Sequence, residues 1–488
     1  MANDPKVKAP GGTRHDAHAG SGLVVMLTLV ATLGGLLFGY DTAVISGAVK
    51  SIDANFIDPL GLADTARDSL SGFTISSALI GCVVGGMIAG WVADRFGRKR
   101  GLFLAAVLFL VSAIGSALPE LGLGTIGRMG PAALTPFIIY RVICGVGVGI
   151  ASMLSPLYIA EIAPPHARGR LISFNQMAIV LGIAGVYFVN WAIAAQGDGA
   201  WLNSVGWRWM LGSEALPAAL FLVLLAFVPD TPRWLIMVGR GAEAEATLTR
   251  LMGPAEAALT RREIEGSLMQ HTDRLLAYGA LVLVVGIMLS LFQQLVGINA
   301  VLYYAPLMFE NMGAGTDSAL LQTVVVGAAN VLFTLVAMFT VDRLGRKPLL
   351  IAGAAVMATA MLALGFLLNR HQMGIGALVA VVVYVAGFAF SWGPVVWVLL
   401  AEIFPNPIKG KALSIAVAAQ WIANWVVSWS FKVLDGNAAL NAMFNHGFAY
   451  YLYGAFSILA GLFVWRFVPE TKGRSLEEME GVWKAAGR

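Results

Sequence analysis

Asp41 stands in GLLFGYDTAV (residues 35–44), inside an apolar run that reads as membrane-spanning helix from Leu23 to Ala48. A charge at mid-membrane costs some 2.5 to 3.5 kcal/mol on insertion scales, so it needs a partner. Arg141 is the candidate. The first run enters near Gly22, which puts Asp41 about 28 Å along the helix at 1.5 Å per residue, and Arg141 lies near the start of an antiparallel run from about Leu134. Both then sit in the outer third at similar depth. The guanidinium favours the ionised carboxylate and desolvation favours the neutral acid. A motion that tips this balance would let Asp41 take up a proton on one side and release it on the other; the alternative is a permanent structural ion pair. Glu214, in GWRWMLGSEALP, is a second acid nearer the outer surface, read either as a proton site or as an anchor for Arg208 or a neighbouring helix.

A second group of polar residues is uncharged. LFQQLVGINAVLYY carries Gln293, Gln294, Asn299, Tyr303 and Tyr304, and other apolar runs hold Gln176, Asn330, Trp397, and Gln420 beside Trp421. Amides both donate and accept, and aromatic rings lie against apolar faces. That combination suits a ligand that carries both hydroxyl groups and apolar faces. Taken singly, each amide could instead make an interhelical hydrogen bond, worth about 0.6 kcal/mol on average; so many in a bundle with few other polar groups favour a shared cavity. Gly393 and Pro394 loosen a helix just before Trp397, because Pro394 removes one ladder hydrogen bond. This predicts a bending gate, against the alternative of a static kink.

The elements that hold these residues follow from composition. With 488 residues, 58% hydrophobic and 12% charged, the chain is a polytopic membrane protein. Twelve runs are long enough to cross a bilayer at about 20 residues each. They lie near 22–46, 73–93, 101–119, 134–156, 172–196, 209–228, 275–298, 320–341, 348–368, 375–400, 411–432 and 446–467. Residues 1–21 read as a retained cytoplasmic tail, since no small-residue cleavage site follows the first run. With that end inside, roughly 25 of the 32 Lys and Arg fall on the cytoplasmic side, the positive-inside pattern, so both termini are expected there. Residues 22–229 and 275–467 form two six-helix halves, 230–274 a linker of short amphipathic helices, and 468–488 a cytoplasmic tail. Cys82 and Cys144 fall in apolar runs and read as small core residues. The net charge of +4 is scattered between spans, which excludes a nucleic-acid partner.

The halves repeat each other. DRFGRK at 94–99 returns as DRLGRK at 342–347, EIAPPHARG from Glu161 returns as EIFPNPIKG from Glu402, and PDTPR at 229 returns loosely as PETKGR at 469. Six spans separate the copies, so this is a parallel repeat about an axis along the membrane normal. All three elements lie in cytoplasmic turns. Asp94, Arg98, Glu161 and Arg168 of one half and Asp342, Arg346, Glu402 and Lys409 of the other are expected to pair across the interface as a latch favouring the outward-facing state. Alternatively these charges only fix topology, although topology does not need acids at matched positions.

GWVADRFGRKR, PLYIAEIAPPHARGR, VPDTPRWL, QQLVGIN, GPVVW and VPETKGRSLEE, in that order, resemble the signatures of the sugar porter family of the major facilitator superfamily, over about Gly34 to Glu478. That family includes bacterial proton-coupled xylose carriers and facilitative glucose carriers. Two positions depart from its pattern: Lys409 stands where Arg is usual, and Met338 where the first copy has Gly90. The resemblance implies an all-α major facilitator fold. It implies sugar contacts at Phe38, Gln176, Gln293, Gln294, Asn299, Asn330, Trp397, Gln420 and Trp421, and an outer gate at Tyr303 and Tyr304. Proton-coupled members resembling this chain carry Asp in GYDTAVISG where facilitative ones have Asn, which supports symport through Asp41 and Arg141. Ile183, seven residues beyond Gln176, stands where xylose-type carriers tend to have a second glutamine and glucose carriers an apolar residue; it favours a hexose, or tolerance of both.

The expectation is therefore a proton-coupled symporter that imports an aldose such as D-glucose or D-xylose by alternating access, working as a monomer in a plasma membrane, with a bacterial inner membrane suggested by the Ala- and Gly-rich composition. The alternatives are a proton-independent uniporter and, ranked far below, a receptor that binds sugar without transport, since only a short tail follows the last span. The chain is not expected to be an enzyme, and no catalytic residue, cofactor or metal site is expected. It has no GxxxxGK[ST] phosphate loop for ATP, and its six His show no ligand spacing. One proton moving across about 100 mV releases about 2.3 kcal/mol, and a tenfold proton gradient adds about 1.4. Together these suffice for several-hundred-fold accumulation at perfect coupling.

Overall fold

The computed structural model describes residues 14–164, 167–268, 275–372, 374–405, 408–472, 481 and 483, with the side chains of 14–21, 267 and 342 outside the description. Among the described residues there are twelve helices long and apolar enough to cross a membrane: Gly22–Gly47, Asp64–Phe96, Arg98–Ala117, Gly130–Ile162, Arg168–Ala194 and Gly199–Ala226, then Ala280–Asn311, Thr316–Val341, Arg346–Asn369, Ile375–Ile403, Lys409–Asp435 and Phe448–Phe467. We number these spans one to twelve. Because the number is even, the first and last spans have their terminal ends on one face, here called the termini face; the other is the far face. The segment between spans six and seven contains the helices Pro232–Met237, Gly241–Met252 and Pro254–Leu268.

Small residues decide where spans meet. Gly81 and Gly85 of span two lie against the backbone of Val142 and Val146, while Gly145 and Gly149 of span four lie against Ala78 and Cys82, so that a Cβ at any of the four would strike backbone. Gly39 of span one and Gly182 of span five make the same close approach, to Ile179 and Leu36. Without a hydrophobic drive between helices in lipid, such contacts bring backbones together. Gly34 of span one, against the side chain of Ser155, likewise lets span one approach span four, the two spans that carry Asp41 and Arg141.

Two spans are broken where candidate residues cluster. Span seven is two helices, Ala280–Leu295 and Ile298–Asn311, joined at Gly297 with φ +91°, a conformation that favours glycine. Span ten is two helices, Ile375–Phe390 and Trp392–Ile403, joined at Ser391. The break falls three residues before Pro394, in the turn that Gly393 and Pro394 were expected to loosen; a proline has no N–H for, and crowds, the carbonyl four residues back, here that of Phe390. Pro394 lies in the first turn of the second helix, where a missing N–H leaves no bond of that helix unmade. Ser391 Oγ donates back to Gly387 O at 2.6 Å, closing the end of the preceding helix.

Candidate functional site

Arg141 Nη1 donates to Asp41 Oδ1 at 2.5 Å, and both side chains are 3% exposed. Glu214 belongs to the same cluster: its carboxylate oxygen, Cys144 Sγ and an Asp41 oxygen lie within 4.8 Å of one another, with Cys144 Sγ 3.9 Å from Glu214 Oε1. Two carboxyls therefore lie close together in a buried site, the first of them paired with a guanidinium. Glu214 does not anchor Arg208, as one sequence reading had it. Arg208 donates to Glu120 at 2.9 and 2.7 Å and to Ala117 O at 2.9 Å, in the loop before span four. Burial favours the neutral acid at Glu120, but the Arg208 bonds and backbone N–H groups, Gly127 among them, outweigh it and hold its carboxyl below the usual range. Cys144, read from the sequence as a core filler, is the residue that reaches Glu214; nothing in its spacing signals that.

The amides of the second half form one chain. Gln293 Nε2 donates to Trp392 O at 2.9 Å, at the break of span ten. Gln293 Oε1 accepts from Gln420 and, at 3.3 Å, from Gln294; Asn299 Nδ2 donates to Gln294 Oε1 at 2.6 Å across the Gly297 break. The chain ends open: Gln420 Oε1 and Trp421 Nε1 are buried without a partner. One is an acceptor and the other a donor, and a hydroxyl can satisfy either. Trp421 meets Phe38 of the first half with ring centroids 5.6 Å apart, so this end lies at the boundary between halves. Among the described residues no hydrogen bond joins Gln176, Asn330 or Trp397 to the chain; Asn330 is buried, and Gln176 and Trp397 are half-buried.

On the far face the halves are held together. Lys50 pairs with Glu310 at 2.6 Å, Lys432 with Asp53 at 3.1 Å, Trp429 Nε1 donates to Ser69 O at 3.1 Å, and Tyr187 OH to Leu302 O at 2.7 Å. Tyr303 and Tyr304 are buried in this closure. Tyr304 donates to Ser428 O at 3.2 Å and stacks on Phe431, and Tyr303 lines a small cavity with Asp41 and Arg141. Sequence reasoning missed Lys50, Asp53, Glu310 and Lys432 as partners across the halves.

On the termini face the repeated motifs pair within each half in this state, whose far face is closed; the expected latch belongs to the outward-facing state. Arg98 donates to Glu161 at 2.9 Å and to Asp94 at 3.4 Å; Arg346 donates to Glu402 at 2.8 Å. Thr231 and Thr471 each donate to that glutamate of their own half. The physical reason is local. Gly97 and Gly345, with φ +93° and +89°, turn the chain sharply from one span into the next and leave free N–H groups at the new helix start. Asp230 accepts from Lys99 N at 3.1 Å, and Glu470 from Arg346 N and Lys347 N at 3.1 and 3.0 Å. Burial pushes Asp230 up, tempered by the Lys99 N–H; at Glu470 burial also raises, but the N–H groups of Lys472, Arg346, Lys347 and Thr471 prevail and hold it low. Arg168 is exposed and Lys409 half-buried, each at the start of its span; the side chain of Asp342 lies outside the described residues.

A bundle of twelve spans with paired halves, a buried acid and an open-ended amide chain is the architecture of a membrane carrier. The chain matches the sugar (and other) transporter family over residues 27–483, and it belongs to that family. It is 54% identical to the D-xylose-proton symporter of Escherichia coli K12 over 95% of this chain and 96% of that one. It is 48% identical to the glucose facilitated diffusion protein of Zymomonas mobilis, over 96% and 99%. The solved inward-open conformation of the xylose transporter XylE from E. coli superposes with a TM-score of 0.86 at 52% identity, covering 94% of this chain and all of that one.

Proposed function

We propose that this chain imports a monosaccharide together with a proton by alternating access, with the far face outside and both termini in the cytoplasm of a bacterial cell. The observation that carries the reading is the buried Asp41–Arg141 pair with Glu214 beside it. Two carboxyls and one guanidinium leave one carboxyl without a counter-charge, and a proton supplies it. The relatives named for proton symport and for facilitated glucose diffusion agree on a sugar. Gln293, Gln294, Asn299, Gln420 and Trp421 hold its hydroxyls and ring; Phe38, Gln176, Asn330 and Trp397 complete the walls as the halves move. Ile183, buried on the Gln176 helix, gives the first half an apolar wall where a second amide would select a pentose, so D-glucose is accepted at least as well as D-xylose. The charge clusters of the termini face keep the ends of each half rigid while the halves rock, and one copy of the chain suffices.

The test is counterflow and concentrative uptake of labelled glucose and xylose in proteoliposomes, for wild type, Asp41→Asn and Gln294→Ala. Asp41→Asn abolishes accumulation against a gradient and still exchanges sugar; Gln294→Ala weakens both. Accumulation by Asp41→Asn equal to wild type would leave a uniporter with a structural ion pair.

A further inference from the structure

Beside Asp41 is a cavity of about 10 Å³, lined by Asp41, Thr42, Cys82 and Arg141 of the first half and by Tyr303 of the second. That is room for about one water, which requires two to four polar partners to stay. The partners are present. Arg141 Nε is buried and has no acceptor, so its N–H is left unmade by the Asp41 contact. A buried donor of this kind costs free energy until it is satisfied. Tyr303 is 3% exposed, and its hydroxyl is near Asn424, whose Oδ1 accepts from Ser428 at 3.1 Å.

We propose that Tyr303 is a positioning residue for the coupling proton: when the far face closes, its hydroxyl and one water complete the hydrogen bonding of the Asp41–Arg141 pair. The inference rests on the symport reading above. Among the described residues the other titratable or charged groups at Asp41 are in the first half: Arg141 and Cys144 on span four, Cys82 on span two and Glu214 on span six. Tyr303 alone among them moves with the other half. Closing the far gate therefore brings a donor to the carboxylate and shuts out bulk water, and opening it withdraws the donor and exposes the acid to the outside. The position of the sugar gate sets the proton affinity of the acid without any contact between sugar and acid.

The test uses the full chain in proteoliposomes: wild type, Tyr303→Phe, Tyr303→Leu and Asp41→Asn, measured for counterflow, for concentrative uptake, and for the pH of half-maximal uptake. Tyr303→Phe keeps the ring and removes the donor that supports the anion. Its half-maximal pH moves upward by about half a unit to one unit, and its ratio of concentrative uptake to counterflow falls by about threefold to tenfold. Tyr303→Leu loses the gate as well, and its counterflow falls in addition. A Tyr303→Phe protein with the wild-type pH profile and ratio overturns the proposal while leaving symport intact. So does one in which counterflow and accumulation fall together with no movement in pH, which is a gate defect only. Accumulation by Asp41→Asn equal to wild type removes the symport reading and this inference with it.

Discussion

Replacing Lys432 by Met should loosen the far gate. Lys432 and Asp53 come from opposite halves, their side chains are 9% and 5% exposed, and Nζ lies 3.1 Å from Oδ2. Removing one member of a buried pair costs about 3 to 5 kcal/mol, because the remaining charge is stranded. Here it is only partly stranded. Ser71 donates to Asp53 Oδ1 at 2.6 Å and Arg67 lies 3.9 Å from Oδ2, both in the first half. We therefore take about 2 kcal/mol as lost from the closed state alone, which shifts the closed-to-open ratio about 30-fold at 1.4 kcal/mol per factor of ten. Both native cysteines are buried and free, so a cysteine introduced at half-buried Ser69, whose carbonyl accepts from Trp429 across the gate, reports opening by its rate of maleimide labelling. The Lys432→Met protein labels about 10- to 30-fold faster, and Lys432→Met with Asp53→Asn returns most of the way to wild type, since a neutral buried pair strands nothing. A single substitution that labels within twofold of wild type, or a double one as fast as the single, refutes the reasoning.

Lys50→Met tests the other far-face pair: Lys50 is 58% exposed, exposed pairs are worth about 0 to 1 kcal/mol, and labelling at the same reporter changes less than about fivefold. Arg208→Met strands Glu120, whose side chain is 1% exposed, and lowers the thermal unfolding midpoint in detergent. Because the Glu120 value is depressed in the folded chain, the stabilisation is present above the ordinary carboxylate range and is lost as pH falls through the folded value, so wild type and variant converge at acid pH. His446 is raised by its 3.0 Å hydrogen bond with Asp435; its contribution is present below about pH 6.5 and lost as pH rises through the raised value. Thermal stability of wild type then falls relative to His446→Gln between pH 6 and 8, and parallel profiles would contradict it.

The spans were legible because a bilayer demands one simple thing of sequence, an uncharged run of sufficient length, and the repeat of DRFGRK was legible because it is contiguous. Partners were not. Arg98 and Arg346 each had several acids within plausible reach, and the sequence does not tell which side of an interface an acid falls on; the caps made by Asp230 and Glu470 hold the pairs inside each half. Arg208 lies six residues before Glu214 and takes Glu120, 88 positions away, since a loop brings that acid to it. Depth along a helix did place Asp41 beside Arg141, for depth is additive in residues and each lies in one unbroken helix, Arg14–Val44 and Leu134–Ile162. The break at Gly297 hides in an apolar stretch because glycine there looks like any small residue until its positive φ is seen, whereas Pro394 marks the break of span ten to within a turn because it has no N–H for the Phe390 carbonyl.

Where the pairs lie bears on how the halves can move. A rocking carrier needs contacts that stay and contacts that part. Arg98 with Glu161, side chains 6% and 6% exposed, and Arg346 with Glu402 pair inside one half each in this state, so these contacts can persist while the far face opens. The charges that do bridge the halves each retain support at home. Arg67 and Ser71 remain with Asp53 when Lys432 leaves, and Lys432 lies three residues before Asp435 on its own helix, a spacing at which side chains meet. Neither charge is left bare in the open state, so the barrier to opening is lower than a buried ion pair would otherwise impose. Breaking that arrangement from the other side makes the point testable: in Arg67→Met, Lys432 becomes the main support of Asp53, and the far face stays closed longer, with labelling at the Ser69 reporter slower than in wild type rather than faster.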